Sequence, residues 1–327
     1  MLSSLVSTDN NQRGNLPRLD LSRCLRTRNR NSNCTKCQIL CQKKAISFEQ
    51  KKLTLEEDVC NGCLLCTGGC KTGALTIPFD GLGDIFLSLC KSDLIVISCE
   101  KNLINESHIK LSCLGGLSEE LLVSLLTATN AKIKIDLSNC PQCEKENVSS
   151  IIAEKIHKVM VIFPDKLSSR IDIVSKTKSY YTNFQERRAF FRALRDVAYK
   201  STQAIWTNNK PTSKKSYSNK KIPENRQLLR HAIVNAHDST GATIAENYFF
   251  SMTIDASCNF CGMCIGVCPT GALKISREDK TKSLIFQPHI CTGCDACHEI
   301  CKQRAIVLTK GIDLKKLTGY TAHIMGQ

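Results

Sequence analysis

Between about Phe86 and Pro164 the apolar and polar residues follow two different periods. Leu94–Ser98 and Ile109–Ser112 are short apolar runs of strand character, and Lys132–Leu137 alternates with period two. Ser118–Thr129 instead repeats its apolar residues at helical spacing, opening on Ser118 as cap with Glu119 and Glu120 in the first turn. Asn147–His157 reads as a second helix and Val159–Phe163 as a last strand. This alternation predicts a small α/β domain around a central sheet. Toward the C-terminus Leu273–Ile275 and Ile306–Leu308 read as short strands that pair. After Pro164 the pattern turns polar. Asn183–Ile205 is expected to be one helix, with Phe184, Phe191, Leu194 and Ala198 near one face. Asn208–Arg226 has no apolar period and is expected to be a flexible surface segment.

The formal net charge is +15, and most of it sits in one stretch. Residues 165–231 hold sixteen Lys and Arg against five Asp and Glu. Such a surplus suits nucleic acid. No helix-turn-helix, RNA-binding or zinc-finger signature accompanies it, so no nucleic-acid partner is expected. Arg187-Arg188-Ala189-Phe190-Phe191 lies mid-chain without a following apolar stretch and is not read as an export signal. No run of eighteen apolar residues occurs, so no membrane span is expected. The start, MLSSLVSTDNNQRGN, lacks a basic region followed by an apolar stretch. A reducing, cytoplasmic location is the expectation.

In such a compartment clustered cysteines mean metal or redox chemistry. The chain has 21 of them. Three groups share one spacing: Cys60, Cys63, Cys66 and Cys70; Cys258, Cys261, Cys264 and Cys268; Cys291, Cys294, Cys297 and Cys301. Cys34, Cys37 and Cys41 form a fourth run that lacks only its first member, which Cys24 can supply. Three closely spaced sulfurs and a distant fourth suit a cubane iron–sulfur cluster. Structural zinc favours spaced pairs, often with His, and no His stands in a ligand register here. An oxidised cubane on four thiolates carries about −2, so the basic surplus also suits charge compensation.

The sequences DASCNFCGMCIGVCPTGALKI and HICTGCDACHEICKQRAIVL resemble the bacterial two-cluster ferredoxins over about Thr253–Thr309. In that family the fourth cysteine of each run ligates the other cluster. The resemblance implies one 4Fe–4S cluster on Cys258, Cys261, Cys264 and Cys301, and another on Cys291, Cys294, Cys297 and Cys268. His289 and His298 flank the last run and are read as solvated or as tuning groups. From about Leu19 to Ile77 the chain resembles the same family with two departures. Lys71 stands where proline is usual, and nine residues separate Cys24 from Cys34 where two are usual. An extended basic loop, Leu25–Asn33, is expected to fill that gap. Carried over, the family pattern implies one cluster on Cys24, Cys34, Cys37 and Cys70 and one on Cys60, Cys63, Cys66 and Cys41.

In the middle region ISCEKN, SCLGGL and NCPQC place Cys99, Cys113, Cys140 and Cys143 at the ends of predicted elements. These pieces resemble the thioredoxin-like 2Fe–2S ferredoxins and the delta subunit of methyl-viologen-reducing hydrogenases. That implies a 2Fe–2S site. Zinc, or a dithiol at Cys140 and Cys143 with a lowered thiol pKa, are the alternatives. Cys90 has no partner and is read as a buried apolar residue.

The expected architecture is α+β and multidomain. A flexible terminus (1–18) leads into a ferredoxin-like dicluster module (19–82), then a thioredoxin-like α/β domain (83–164). A basic helical and partly flexible linker (165–247) joins it to a second dicluster module (248–327). No phosphate loop or dinucleotide fingerprint is visible, so flavin or nicotinamide chemistry is not expected. The resemblance implies an electron-transfer protein, not a self-contained enzyme. It would relay single electrons between a carrier, such as ferredoxin or flavodoxin, and a partner such as a hydrogenase, formate dehydrogenase or disulfide reductase of anaerobic metabolism. The alternative is an accessory, maturation or redox-sensing factor for such an enzyme.

Overall fold

The computed structural model describes residues 15–175 and 220–324, apart from positions 51, 80, 81, 90, 91, 103–106, 146, 164, 279, 280, 318 and 320. Cys90, the expected helix 183–205 and most of the polar segment after it lie outside the described residues.

The two ends are built alike. At the N-terminal end come β1 (Arg18–Leu19), the hairpin β2 (Ile46–Glu49) and β3 (Lys52–Leu55), and β4 (Leu75–Thr76). β1 pairs with β4 and β2 with β3, both antiparallel. The middle holds β5 (Leu94–Cys99), β6 (Ile109–Leu111), β7 (Lys132–Asp136) and β8 (Ile171–Val174). At the C-terminal end β9 (Phe250–Ile254) and β12 (Ile306–Lys310) enclose in sequence the hairpin β10 (Leu273–Glu278) and β11 (Thr281–Phe286), and β13 (Thr321–Ile324) follows. β9 pairs with β12 and β10 with β11, again antiparallel, and β13 joins the free edge of β11. At both ends one run of cysteines precedes the hairpin and one follows it. The two apolar stretches expected to pair with each other, in β10 and β12, pair instead with β11 and β9.

The middle sheet is wholly parallel, in the order β6-β5-β7-β8. Parallel strands are covered on both faces, which explains their continuous apolar runs. Ile95, Val96, Ile97, Ile133 and Ile135 are all buried. The expected α/β domain is present. Its all-parallel sheet differs from the mixed sheet of a thioredoxin-like fold, and the order is that of a doubly wound domain. Ser118 caps the helix Glu119–Ala128 as expected, its Oγ accepting from Leu121 N at 3.1 Å. The stretch expected to be a last strand, Val159–Phe163, is instead the end of the helix Val148–Ile162. Val159 continues the buried stripe of Val148, Ile152 and Ile156 at helical spacing, and a short apolar run alone cannot tell the two elements apart. The last strand is β8.

Residues 220–247 of the expected linker are also folded. Helices Glu224–Val234 and Asp238–Tyr248 pack against the helix Glu119–Ala128. Leu228, Leu229, Ala232 and Ile233 form a buried face. Arg226, at the end of the segment expected to be flexible, is 2% exposed, bonds Glu120 and donates to Tyr248 O at 2.9 Å. One hydrophobic core therefore joins Leu64 and Leu65 of the N-terminal unit, the middle sheet and this helix pair.

His108, entering β6, ties that edge strand to β5. Its Nδ1 accepts from Val96 N at 3.1 Å, and its own N donates to Val96 O at 2.9 Å. Burial pulls its pKa down to about 4. The unfolded chain takes up that proton near 6.5, so the stabilisation is full above 6.5 and is lost as pH falls toward 4. Its extent is roughly 3 kcal/mol. Denaturant melts of the wild type and of His108→Asn, whose carbonyl keeps an acceptor near that position, should converge between pH 7 and 5. Parallel pH profiles would refute the assignment.

Candidate metal centres

The three intact runs share backbone geometry as well as spacing. In each, the residues on either side of the second cysteine are left-handed: Gly62 and Leu64, Phe260 and Gly262, Gly293 and Asp295, with φ from +56° to +77°. Alternating right- and left-handed residues turn successive N–H groups into one concave nest that favours negative charge. A non-glycine residue there costs roughly 1–2 kcal/mol, and Leu64 and Phe260 bear it. Asn61 and Asn259 brace the same turn, their Oδ1 atoms accepting from Cys63 N at 3.2 Å and Cys261 N at 3.3 Å. A second repeat lies three residues beyond each last cysteine. Lys44, Gly73, Gly271 and Arg304 follow Cys41, Cys70, Cys268 and Cys301, and all four are left-handed. The irregular run at Cys34 shares this second turn and lacks the first. Its gap is filled by the short helix Leu25–Arg28 in place of the expected extended loop.

This backbone brings the cysteines together across runs. One cavity is lined by Cys258, Cys261, Cys264 and Cys301, and another by Cys24, Cys34, Cys37 and Cys70. Cys268 acts electrostatically on Cys291, Cys294 and Cys297, and Cys41 on Cys60, Cys63 and Cys66. None of the described cysteines is in a disulfide. Among the described residues no three His, Cys, Asp or Glu side chains converge tightly enough for one metal ion. Four thiolates drawn from two runs are a donor set that a cubane takes.

The donors suit anionic sulfur. Gly293 N donates to Cys291 Sγ at 3.4 Å. The Thr72 and Thr270 hydroxyls lie 3.6 Å and 3.5 Å from Cys70 Sγ and Cys268 Sγ, one turn position repeated in both units. These threonines escaped the sequence reading, although the shared Cys-x-Thr could have exposed them. Burial, reinforced by neighbouring sulfurs, pushes Cys264 up to about 11 and Cys37 and Cys294 up to about 12. Cys66 and Cys297 are raised further by the same causes. Of the flanking histidines His298 is exposed and His289 is partly buried. The His289 Nδ1 is buried without a partner, and His298 Nδ1 lies 2.7 Å from Ile306 O.

The middle cysteines meet at the carboxyl end of the parallel sheet. Cys99 ends β5, Cys113 follows β6, and Cys140 and Cys143 follow β7. The strand order reverses between β5 and β7, where doubly wound sheets hold ligands. Cys140 sits in a short turn ahead of the helix Val148–Ile162, and burial beside Cys99, Cys113 and Cys143 pushes its pKa up to about 12. A reactive dithiol needs the opposite shift.

Residues 257–305 match the family model of the 4Fe-4S dicluster domain. The C-terminal unit is a domain of that type. Its presence supports an iron–sulfur electron-transfer role for the chain. No curated protein and no solved structure matches. No described helix is long and apolar enough to cross a membrane.

Thiols held at about 11 to 12 are protonated at neutral pH, so iron must displace protons to bind them. Resistance of the loaded C-terminal unit to an iron chelator should rise with pH from 6 to 9. Retention independent of pH would contradict protonated resting thiols.

Proposed function

We propose that this chain is a polyferredoxin-like relay carrying single electrons between two protein partners. Four 4Fe–4S clusters would be held by Cys258, Cys261, Cys264 and Cys301; by Cys291, Cys294, Cys297 and Cys268; by Cys24, Cys34, Cys37 and Cys70; and by Cys60, Cys63, Cys66 and Cys41. Cys99, Cys113, Cys140 and Cys143 would hold a 2Fe–2S cluster. Such clusters accept and give up one electron without bond chemistry, while the protein sets their potential by burial and hydrogen bonds to sulfur. The partners proposed are a redox enzyme of the hydrogenase, formate dehydrogenase or disulfide reductase kind and a soluble carrier, in a reducing compartment.

The observation that carries this reading is that the five cysteine groups stand in file. Cys113 of the middle domain feels the charge of Cys63, and Gly115 lies so close to the Cys63 carbonyl that an added Cβ would come within 2.0 Å of it. Cys66 in turn feels Cys37 of the next group. The cavity of Cys24, Cys34, Cys37 and Cys70 is also walled by Cys294. The last two groups share the C-terminal core. The inserted residues seal the central junction. Leu25 packs with Val267, Ala296, Cys294 and Ile300. Arg28 donates to the carbonyls of Val267 at 2.8 Å, Gly266 at 3.0 Å and Cys268 at 3.3 Å. Both ends of the file reach the surface, at the exposed Cys261 and at the partly exposed Cys140 and Cys143. A relay needs this arrangement, and separate storage sites do not.

Anaerobically loaded protein should carry about sixteen cubane irons and two more for the middle site, with matching sulfide. Cys24→Ser should lower the cubane signal by about one cluster in four, and Cys140→Ser should remove the 2Fe–2S signal alone. Colourless protein, or zinc in place of iron and sulfide, would end the proposal.

A further inference from the structure

In each intact run the residue before the second cysteine has its carbonyl turned away from the nest, and in each a lysine takes it. Lys145 Nζ donates to Gly62 O, Lys71 Nζ to Gly293 O and Lys282 Nζ to Phe260 O, each at 3.0 Å. The three lysines come from unrelated elements. Lys145 follows Cys143 in the middle domain. Lys71 follows Cys70 in the N-terminal unit, where the related modules have proline. Lys282 stands on β11. Two of them also lie over aromatic rings, Lys71 at 5.3 Å from the Phe250 centroid and Lys282 at 5.5 Å from that of Phe260. Lys145 is buried. The irregular run has an arginine in a related place, Arg26, whose Nε donates to Cys34 O at 2.8 Å while it stacks 4.1 Å over Phe48.

The geometry follows from the left-handed residue. Gly62, Phe260 and Gly293 present N–H to the sulfurs on one side and C=O to the outside on the other. A carbonyl pinned outward by a lysine keeps the peptide from flipping, so the nest stays formed. The ammonium also places one positive charge beside a group of four thiolates. That charge favours the more negative, reduced state of whatever the thiolates hold, most strongly where it is poorly screened, as at the buried Lys145, and least at the exposed Lys71.

We propose that Lys145, Lys71 and Lys282 are positioning residues that each set the reduction potential of one site: Cys60/Cys63/Cys66/Cys41, Cys291/Cys294/Cys297/Cys268 and Cys258/Cys261/Cys264/Cys301 respectively. The inference rests on the cluster reading above. It adds that two of the sites take their cation from the preceding unit of the file. Lys145 belongs to the middle domain and serves the N-terminal unit, and Lys71 belongs to the N-terminal unit and serves the C-terminal one. Docking of the units and potential of the sites are then set by the same contacts. The step concerned is a one-electron reduction in which no bond forms or breaks.

The test is a redox titration of the full, iron-loaded chain followed by low-temperature EPR, for Lys→Met, Lys→Gln and Lys→Arg at each position. Iron and sulfide should stay at the wild-type level. Each Met variant should move one cubane midpoint most, a different one in each case, to lower potential. Gln, which keeps a donor without the charge, should move it the same way, and Arg should restore it. The Cys24/Cys34/Cys37/Cys70 midpoint should stay in place in the Lys145 and Lys282 variants, whereas Lys71 also lines that cavity. Unchanged midpoints in fully loaded Met variants, or Gln variants that match the wild type, overturn the inference while leaving the relay standing. A wild-type chain without cubane signals overturns both.

Discussion

Too little apolar material is available at either end of this chain to bury a core without its cysteines. In the N-terminal unit, among the described residues, Cys24, Cys37 and Cys66 form one small buried cluster with Ile46, Leu53, Ala74 and Leu75. In the C-terminal unit Cys264, Cys268, Cys291 and Cys297 sit among Phe260, Leu273, Leu284, Phe286 and Ile306. Modules this small are marginal unless something beyond hydrophobic burial holds them. Here the sulfurs are the centre of the core, and whatever binds them crosslinks the chain through it. On the proposed cluster reading, metal binding and folding are then one free energy. The strained left-handed residues at Leu64 and Phe260 follow from the same constraint, because the backbone must bend around the sulfurs before it can satisfy itself.

The middle domain solves the opposite problem. Its parallel sheet has ample apolar surface, and the helix Glu224–Val234 returns from a distant part of the sequence to cover the helix Glu119–Ala128. Arg226 comes with it, buried on Glu120 and 4.8 Å from the Phe249 ring centroid. A buried ion pair adds little net stability, yet leaving one partner alone is costly, so its value is in fixing which face docks. Phe249 leads directly into β9. The pair therefore sets where the C-terminal unit starts relative to the middle domain, and with it the spacing of the cysteine groups.

Much of this was legible because the chemistry imposes a fixed spacing. The crossing of Cys301 and Cys70 was implied by the family resemblance alone, whereas the spacing of the cysteine runs and the Ser118 cap are local patterns with one physical reading. The errors fall where a short apolar run has two. Val159–Phe163 suits a strand or a helix end, and only the stripe through Ile152 and Ile156 decides it. The stretch before β9 looked like linker because its charged residues dominate, although Leu228, Leu229 and Ile233 form a helical face within it. The topology of the middle sheet was hidden, since strand order depends on which crossovers the helices allow and leaves no local mark. The lysines at Gly62, Phe260 and Gly293 were hidden for the same reason. Lys145, Lys71 and Lys282 have no common position relative to the runs they serve, and only folding brings them to equivalent carbonyls.

The basic character of the chain gains a sharper meaning from those contacts. A basic surplus can bind an external polyanion or offset internal charge. Cations that serve the first role face solvent. Arg23, Arg28, Lys145, Lys220 and Lys282 are instead buried or partly buried and donate to backbone carbonyls of the two cysteine-rich units. A carbonyl fixes a cation in place without cancelling it, as a carboxylate would. The positive charge is thereby kept for the sulfurs nearby. On the proposed cluster reading the sulfurs carry the matching negative charge, since buried thiols raised well above neutrality give up their protons when they bind metal.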